Sequence, residues 1–470
     1  MSHTLELSPE RLFPVDPATR EIARQLYGLV KDLPIISPHG HVNPSLLVDD
    51  ESFGNATELL LRWDHYIFRL LHADGVDITG LGVGGAPLTD PRAAWRTFCA
   101  RWHLIEGTAS ALWLTHILVE LLGVDIVPSA GTADDIYDRI QHRLDQPEFR
   151  PRALFDTFGI ELMATTDDPL DDLAAHTTIR DQLELSGRVV PTWRPDKYCD
   201  LLSDGFAERI ERLTGTVGGR PGHIGDYLKA LEHSRQRFIA AGAISTDHGP
   251  RTPKTLDLSD RELEGLLAKG LAGNADATDA VAFEAGMLTR FAGMACQDGL
   301  VMTVHPSVAR NHCQSALTAF GPDTGHDIPL RTEYTRAMQP LLNKYGTVPG
   351  FHLVLFTIDE TVYSRELAPL AGFYPAVYVG APWWFIDSPD AIGRHRSAVV
   401  EQAGFYRSSG FIDDTRAYLS IPARHDMSRR VDAAFLARYV VQGRLQQSAA
   451  ERIIVDMTCT NPRNVFKLGG

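Results

Sequence analysis

The stretch LPIISPHGH at 33–41 sets a short apolar run, 33–37, directly against two histidines, His39 and His41. The same pattern recurs along the chain. Run 160–164 precedes TTDDP, 189–193 precedes RPDK, 243–245 precedes TDHG, and 300–304 precedes HPSVARNH. Run 353–358 precedes DETVYSRE, 376–379 precedes GAPWWF, and 410–412 precedes DDTR. Continuous apolar runs of this length read as strands buried on both faces, the signature of a parallel sheet. Longer segments between them repeat apolar residues at helical spacing: Ile224, Tyr227, Leu228, Leu231, Phe238 and Ile239 share one face, as do Ile22, Leu26 and Val30. Eight strand–helix units in order predict an α/β fold, a distorted (β/α)8 barrel of the TIM type, with an open doubly wound sheet as the competitor. Polar residues after every run favour the barrel. The first and second runs lie far apart, whereas a parallel crossover needs only about a dozen residues. Residues 43–155 are therefore read as a mostly helical insertion after strand 1, placed over the barrel mouth, within a single catalytic barrel spanning 1–470.

The chain has 470 residues, 44% of them hydrophobic and 22% charged, the balance of an ordinary globular protein. Lys and Arg number 45 against 60 Asp and Glu, a net charge of −15. Such a surface repels nucleic acid and anionic membranes, so neither is expected as a partner. The N-terminal MSHTLELSPERLFPVD lacks the basic and apolar regions of a signal peptide, and the apolar stretch 111–127 is broken by Thr115, His116, Glu120 and Asp125. The five cysteines, at 99, 199, 296, 313 and 459, are scattered and lack CxxC spacing, which fits a reducing cytoplasm. No internal repeat is visible, and the number of subunits is left open, a homo-oligomer included.

Residues i and i+2 on a strand point the same way, so His39 and His41 are able to converge on one metal ion. The bland alternative is a pair of turn histidines between Pro38 and Pro44. Closure of a barrel would bring the eighth strand beside the first, so that Asp414 completes the set and Arg416 stands next to it. His305 ends the fifth run and faces the same mouth, as a metal ligand or an acid–base group. Arg194, His248, Arg365 and Arg416 all follow runs. Several arginines at one mouth of an acidic protein point to an anionic substrate, since Arg grips carboxylates bidentately. Arg310 is either a further anion ligand or a solvated residue. Trp383 and Trp384 are candidates for a pocket wall. The GLGVGG stretch at 80–85 matches GxGxxG, but no apolar strand precedes it and prolines follow it, so it is read as a loop and not a dinucleotide site.

Together these segments resemble the uronate isomerases, a divergent branch of the amidohydrolase superfamily. The resemblance is carried by PHGH at 38–41, DHYIFRLL at 64–71, ATTDDP at 164–169, RPDK at 194–197, TDHG at 246–249, HPSVARN at 305–311, GPDTGHD at 321–327, YSRELAPLAGFYP at 363–375, GAPWWF at 380–385, DDTR at 413–416 and RHD at 424–426. It departs from the family at Gly40, where Cys is common, and after His305 and Arg310.

The resemblance implies an aldose–ketose isomerase that interconverts D-glucuronate with D-fructuronate, and D-galacturonate with D-tagaturonate. It implies His39, His41 and Asp414 as positions for one divalent metal ion, zinc being the expected one. It also places Tyr66, His305, Arg194, Arg365 and Arg416 in active-site motifs. Moving a proton between C2 and C1 needs a base, a group that handles the two oxygens, and an electrophile. Asp414 is the base candidate, Tyr66 or His305 serve the oxygens, and Arg416 or the metal balances the charge. Arg194 or Arg365 would clamp the substrate carboxylate, with His248, Trp383 and Trp384 completing the substrate site. The alternative is a mononuclear metal-dependent hydrolase of the same superfamily. Binuclear hydrolases of that superfamily add a bridging Lys or Glu after strand 4 and a His after strand 6; here Thr246-Asp247-His248 and Asp359-Glu360 stand there instead, which argues for one metal at most.

Overall fold

Strand β1, Ile35–Ser37, pairs in parallel with β2, Ile160–Ala164, which pairs in parallel with β3, Arg188–Val190. A second parallel sheet runs β4 (Ser245–His248), β5 (Val301–Val304), β8 (Leu353–Leu355), β9 (Val377–Val379). Between β5 and β8 an antiparallel ribbon, β6 (Val308–Ala309) with β7 (Ile328–Pro329), frames the loop that follows β5. The structure is a computed structural model and describes residues 4–84 and 86–469. The first three residues of the N-terminal stretch and Gly85 of the glycine loop lie outside the described residues. Among the described residues, no helix is long and apolar enough to cross a membrane.

The two sheets are joined through Trp193, which bridges in parallel to Asp167 on one side and Thr246 on the other. At the far side Val379 bridges Ser408, and the His41 amide donates to the Thr415 carbonyl at 2.9 Å. Seven of the eight predicted runs thus overlap a parallel strand, and the eighth, 410–412, does not. Two positive φ angles break it. Gly410 sits at φ 80 and packs so closely on Pro462 that a Cβ there would lie 2.9 Å from its ring, and Asp414 is held at φ 43.

The helices form where local chemistry directs them. Pro17–Gly28 starts on Asp16, whose carboxylate accepts from the Thr19 amide at 2.9 Å, with Pro17 in the first turn where a missing N–H costs nothing. Its buried face, Ala23 and Leu26, joins one apolar cluster with Leu436 and Ala437 of helix Ser420–Val441. Ala277–Asp298 opens on a reciprocal capping box between Asp276 and Asp279 and stops at Gly299, φ 84. Within 43–155, the helices His65–Ala73, Pro91–Cys99 and Ala109–His116 bury Phe68, Trp95 and Trp113 in one cluster with Ile35, Ile160 and Met427. These helices therefore share a core with β1 and β2.

Candidate active site

The residues at the carboxyl ends of the strands converge on a cavity of about 1010 Å³. Its lining includes His39, His41, Tyr66, Arg194, His305, Trp383, Trp384, Asp414 and Arg416. At its floor one carboxylate oxygen of Asp414 lies 3.2 Å from Nε2 of His39 and 2.9 Å from Nε2 of His41. Neither approach is a directional hydrogen bond, and that oxygen is buried without one. Three donor atoms facing a common point, two nitrogens and one oxygen, suit a divalent transition metal ion. Burial opposes charge on the His39 ring, but the carboxylates of Asp247 and Asp414 outweigh it and hold the ring above its ordinary pKa. On His41 burial wins and the pKa is lowered. Burial alone would raise Asp414; the two imidazoles reverse this and keep it ionised. Its left-handed backbone is strain stored at the functional residue, as is that of Trp384 at φ 53.

Beside this centre the ring of His305 stacks on that of His39, centroids 4.7 Å apart, and on Phe356 at 3.9 Å. His305 Nδ1 lies 2.7 Å from the Asp247 carboxylate. The other Asp247 oxygen lies 3.1 Å from Arg194, which also grips Asp196 at 2.7 Å. Asp247 is fully buried, yet Arg194, His305 and His39 pull its pKa well below the usual carboxylate value. Near the opening Asp323 stands between two guanidiniums, 3.8 Å from Arg416 and 3.5 Å from Arg310. On the wall that residues 43–155 supply, Tyr66 holds its hydroxyl 3.2 Å from Asp387 and 3.3 Å from the Trp384 carbonyl.

Two expected residues are not brought to the cavity. His248 lies inside β4 rather than after it, and alternation along the strand turns it away from the mouth while turning Asp247 in. Its ring stacks on Phe291 at 4.9 Å, Nε2 meets the Thr246 hydroxyl at 2.9 Å, and burial pushes its pKa down to about 3. Arg365 sits in the π-turn Tyr363–Leu367, half-exposed and forked onto Glu366, whose carboxylate accepts from the amides of Tyr334 and Thr335. Conversely Asp247, Asp387 and Arg424 were not singled out from sequence although all three line or brace the cavity. Asp247 inside TDHG and Arg424 inside RHD lie in motifs that carry the resemblance, whereas Asp387 lies in none.

An α/β enzyme with a histidine–aspartate centre inside an arginine-rimmed cavity is the class this geometry defines. The profile of the family "Glucuronate isomerase" matches residues 17–466. A uronate isomerase of Corynebacterium efficiens is 52% identical over 470 residues, covering 100% of each chain. The crystal structure of glucuronate isomerase from Caulobacter crescentus aligns with a TM-score of 0.97 at 48% identity, over 99% of this chain and 98% of its own. That of a Thermotoga maritima uronate isomerase gives 0.92 at 25% identity, over 98% and 99%. The chain belongs to the glucuronate isomerase family. It is an isomerase acting on uronates.

Proposed function

We propose that the cavity binds a hexuronate in its open-chain form and moves one proton between C2 and C1, interconverting D-glucuronate with D-fructuronate and D-galacturonate with D-tagaturonate. The observation that carries this reading is the ionised Asp414 at the floor of a cavity that also holds His305, Tyr66 and two loosely paired arginines. Asp414 takes the proton from C2 and returns it to C1. His305 and Tyr66 hold the hydroxyls at O1 and O2 through the enediol stage. His39, His41 and Asp414 would hold one divalent ion, zinc by the chemistry of the donors, which when bound supplies Lewis acidity to the substrate oxygens.

The substrate carboxylate is assigned to the arginines at the opening. Asp323, between Arg310 and Arg416, occupies the place a carboxylate would take. Arg194 is already engaged by Asp196 and Asp247 and serves to fix the latter. We further read the strands as closing into a distorted (β/α)8 barrel whose eighth position is the irregular segment 408–415, supported by its links to Val379 and His41. Residues 43–155 then form the cover of that barrel, since they supply Trp63, Asp64, His65 and Tyr66 to the cavity. Assaying uronate isomerisation, with uronate dissociation measured alongside, before and after chelation and metal add-back tests the reading. Binding of glucuronate without turnover in the metal-restored protein would overturn it.

A further inference from the structure

Arg424 ties together four parts of the molecule. Its NH1 donates to Asp387 at 2.7 Å and to the Asp413 carbonyl at 3.3 Å, and its Nε donates to the Ser420 hydroxyl at 3.3 Å. The guanidinium lies over the Trp113 ring at 3.6 Å and 5.7 Å from the centre of the Tyr66 ring. Arg424 and Asp387 are both buried, with side chains 7% and 9% exposed. The same Asp387 oxygen that accepts from Arg424 is the one 3.2 Å from the Tyr66 hydroxyl.

A buried ion pair stabilises a fold weakly, because desolvation consumes most of the attraction, so its use is more often to specify one arrangement. Here the arrangement specified is that of the phenol. Burial raises the Asp387 pKa to about 6 against the pull of Arg424, so at neutral pH the group is chiefly a carboxylate. A carboxylate accepts hydrogen bonds only, and the Trp384 carbonyl beside it does the same. The Tyr66 proton is therefore committed to the wall, and the phenolic oxygen is left to accept. Burial among these groups keeps the phenol from ionising.

We propose that Asp387 and Arg424 are positioning residues for the isomerisation, a pair that fixes the Tyr66 hydroxyl at the cavity wall so that it meets a substrate hydroxyl as an acceptor. The inference rests on the reading of Tyr66 given above. Neither residue touches the reacting atoms. Both act through the phenol, and through it they couple residues 43–155 to the segment that carries Asp414.

The test is a double-mutant cycle on the full-length metal-loaded enzyme, with Tyr66→Phe, Asp387→Asn and their combination. The readouts are kcat and KM for glucuronate, and melting temperature. Asp387→Asn is expected to lower kcat by about 10- to 100-fold, the scale of a misplaced catalytic group, with KM changed far less. In the Tyr66→Phe background the same substitution is expected to lower kcat by no more than about twofold, because the group it positions is gone. Equal factors in both backgrounds, or a wild-type kcat for Asp387→Asn, would overturn the positioning role and leave the proposed function standing. A wild-type kcat for Tyr66→Phe would instead remove Tyr66 from the reaction. If Asp387→Asn does not fold, Arg424→Lys, which keeps the charge and loses the fork, enters the same cycle with the same expectations.

Discussion

His305 Nδ1 lies 2.7 Å from an Asp247 oxygen, and both residues are buried. Because Asp247 is held ionised it accepts, so Nδ1 carries the proton and donates it. The His305 ring is kept neutral by burial, and its Nε2 is buried without a hydrogen-bond partner among the described residues. The bare nitrogen is thus available to take a proton from a sugar hydroxyl. Asp247→Asn presents an amide N–H to Nδ1 and reverses the tautomer. It should lower kcat by roughly 10²- to 10⁴-fold, the range of a lost acid–base group, with the far-ultraviolet spectrum preserved. A kcat within twofold of wild type would show that the tautomer is irrelevant.

His39, His41 and Asp414 present three ligand atoms to a common point. His39→Ala with His41→Ala should reduce bound divalent metal from about one ion per chain to background, measured by elemental analysis after dialysis. Chelation of the unmodified protein should lower isomerisation, and zinc should restore it. Metal content unchanged by the double substitution would mean that the ligands lie elsewhere.

These residues were legible in sequence because each follows an apolar run, and a run marks where a buried strand meets the mouth. The reading broke down where burial is not written in apolar residues. Strand β4 is Ser-Thr-Asp-His, entirely polar and entirely buried, so its end was placed before Asp247 and His248. A shift of a few residues then made His248 the cavity residue, when alternation gives that place to Asp247. Asp387 and Arg424 meet across 37 residues of chain, and no local period announces such a pair. The π-turn that carries Arg365 outward is likewise invisible to a helical pattern.

Asp323 bridging Arg310 and Arg416 at the opening predicts which arginine matters for the substrate carboxylate. A charge-assisted bidentate contact contributes roughly 1.5–3 kcal/mol, or about 10- to 150-fold in affinity. Arg416→Lys should raise KM for glucuronate within that range, and more than Arg365→Lys does. Glucose and galactose, which lack the carboxylate, should be poor substrates. Efficient isomerisation of the neutral sugars would dispose of the carboxylate contact altogether.

Asp426 is the anchor between the N-terminal segment and helix Ser420–Val441, and it gives stability a defined pH dependence. Its carboxylate pairs with Arg11 at 2.6 Å and Arg430 at 2.9 Å and accepts from the Tyr27 hydroxyl at 2.5 Å. Burial would raise its pKa, but the two guanidiniums outweigh burial and lower it. A carboxylate whose folded-state pKa lies below its unfolded value of about 3.9 stabilises the fold fully above that value. It loses the contribution as the pH falls through the folded-state pKa. Asp426→Asn removes the charge and leaves Arg11 and Arg430 without their carboxylate, though Arg430 keeps the Pro9 carbonyl and the Tyr27 hydroxyl. At neutral pH this should cost roughly 3–5 kcal/mol, the range for breaking a buried pair from one side. The gap between the wild-type and Asp426→Asn denaturation curves should be constant from pH 7 to about 5 and should narrow below about 4. A gap that stays constant into the acid range would mean that Asp426 stabilises by packing and hydrogen bonding alone. One that widens there would reverse the sign of the linkage, and with it the assignment of the two arginines as the groups that hold the carboxylate ionised.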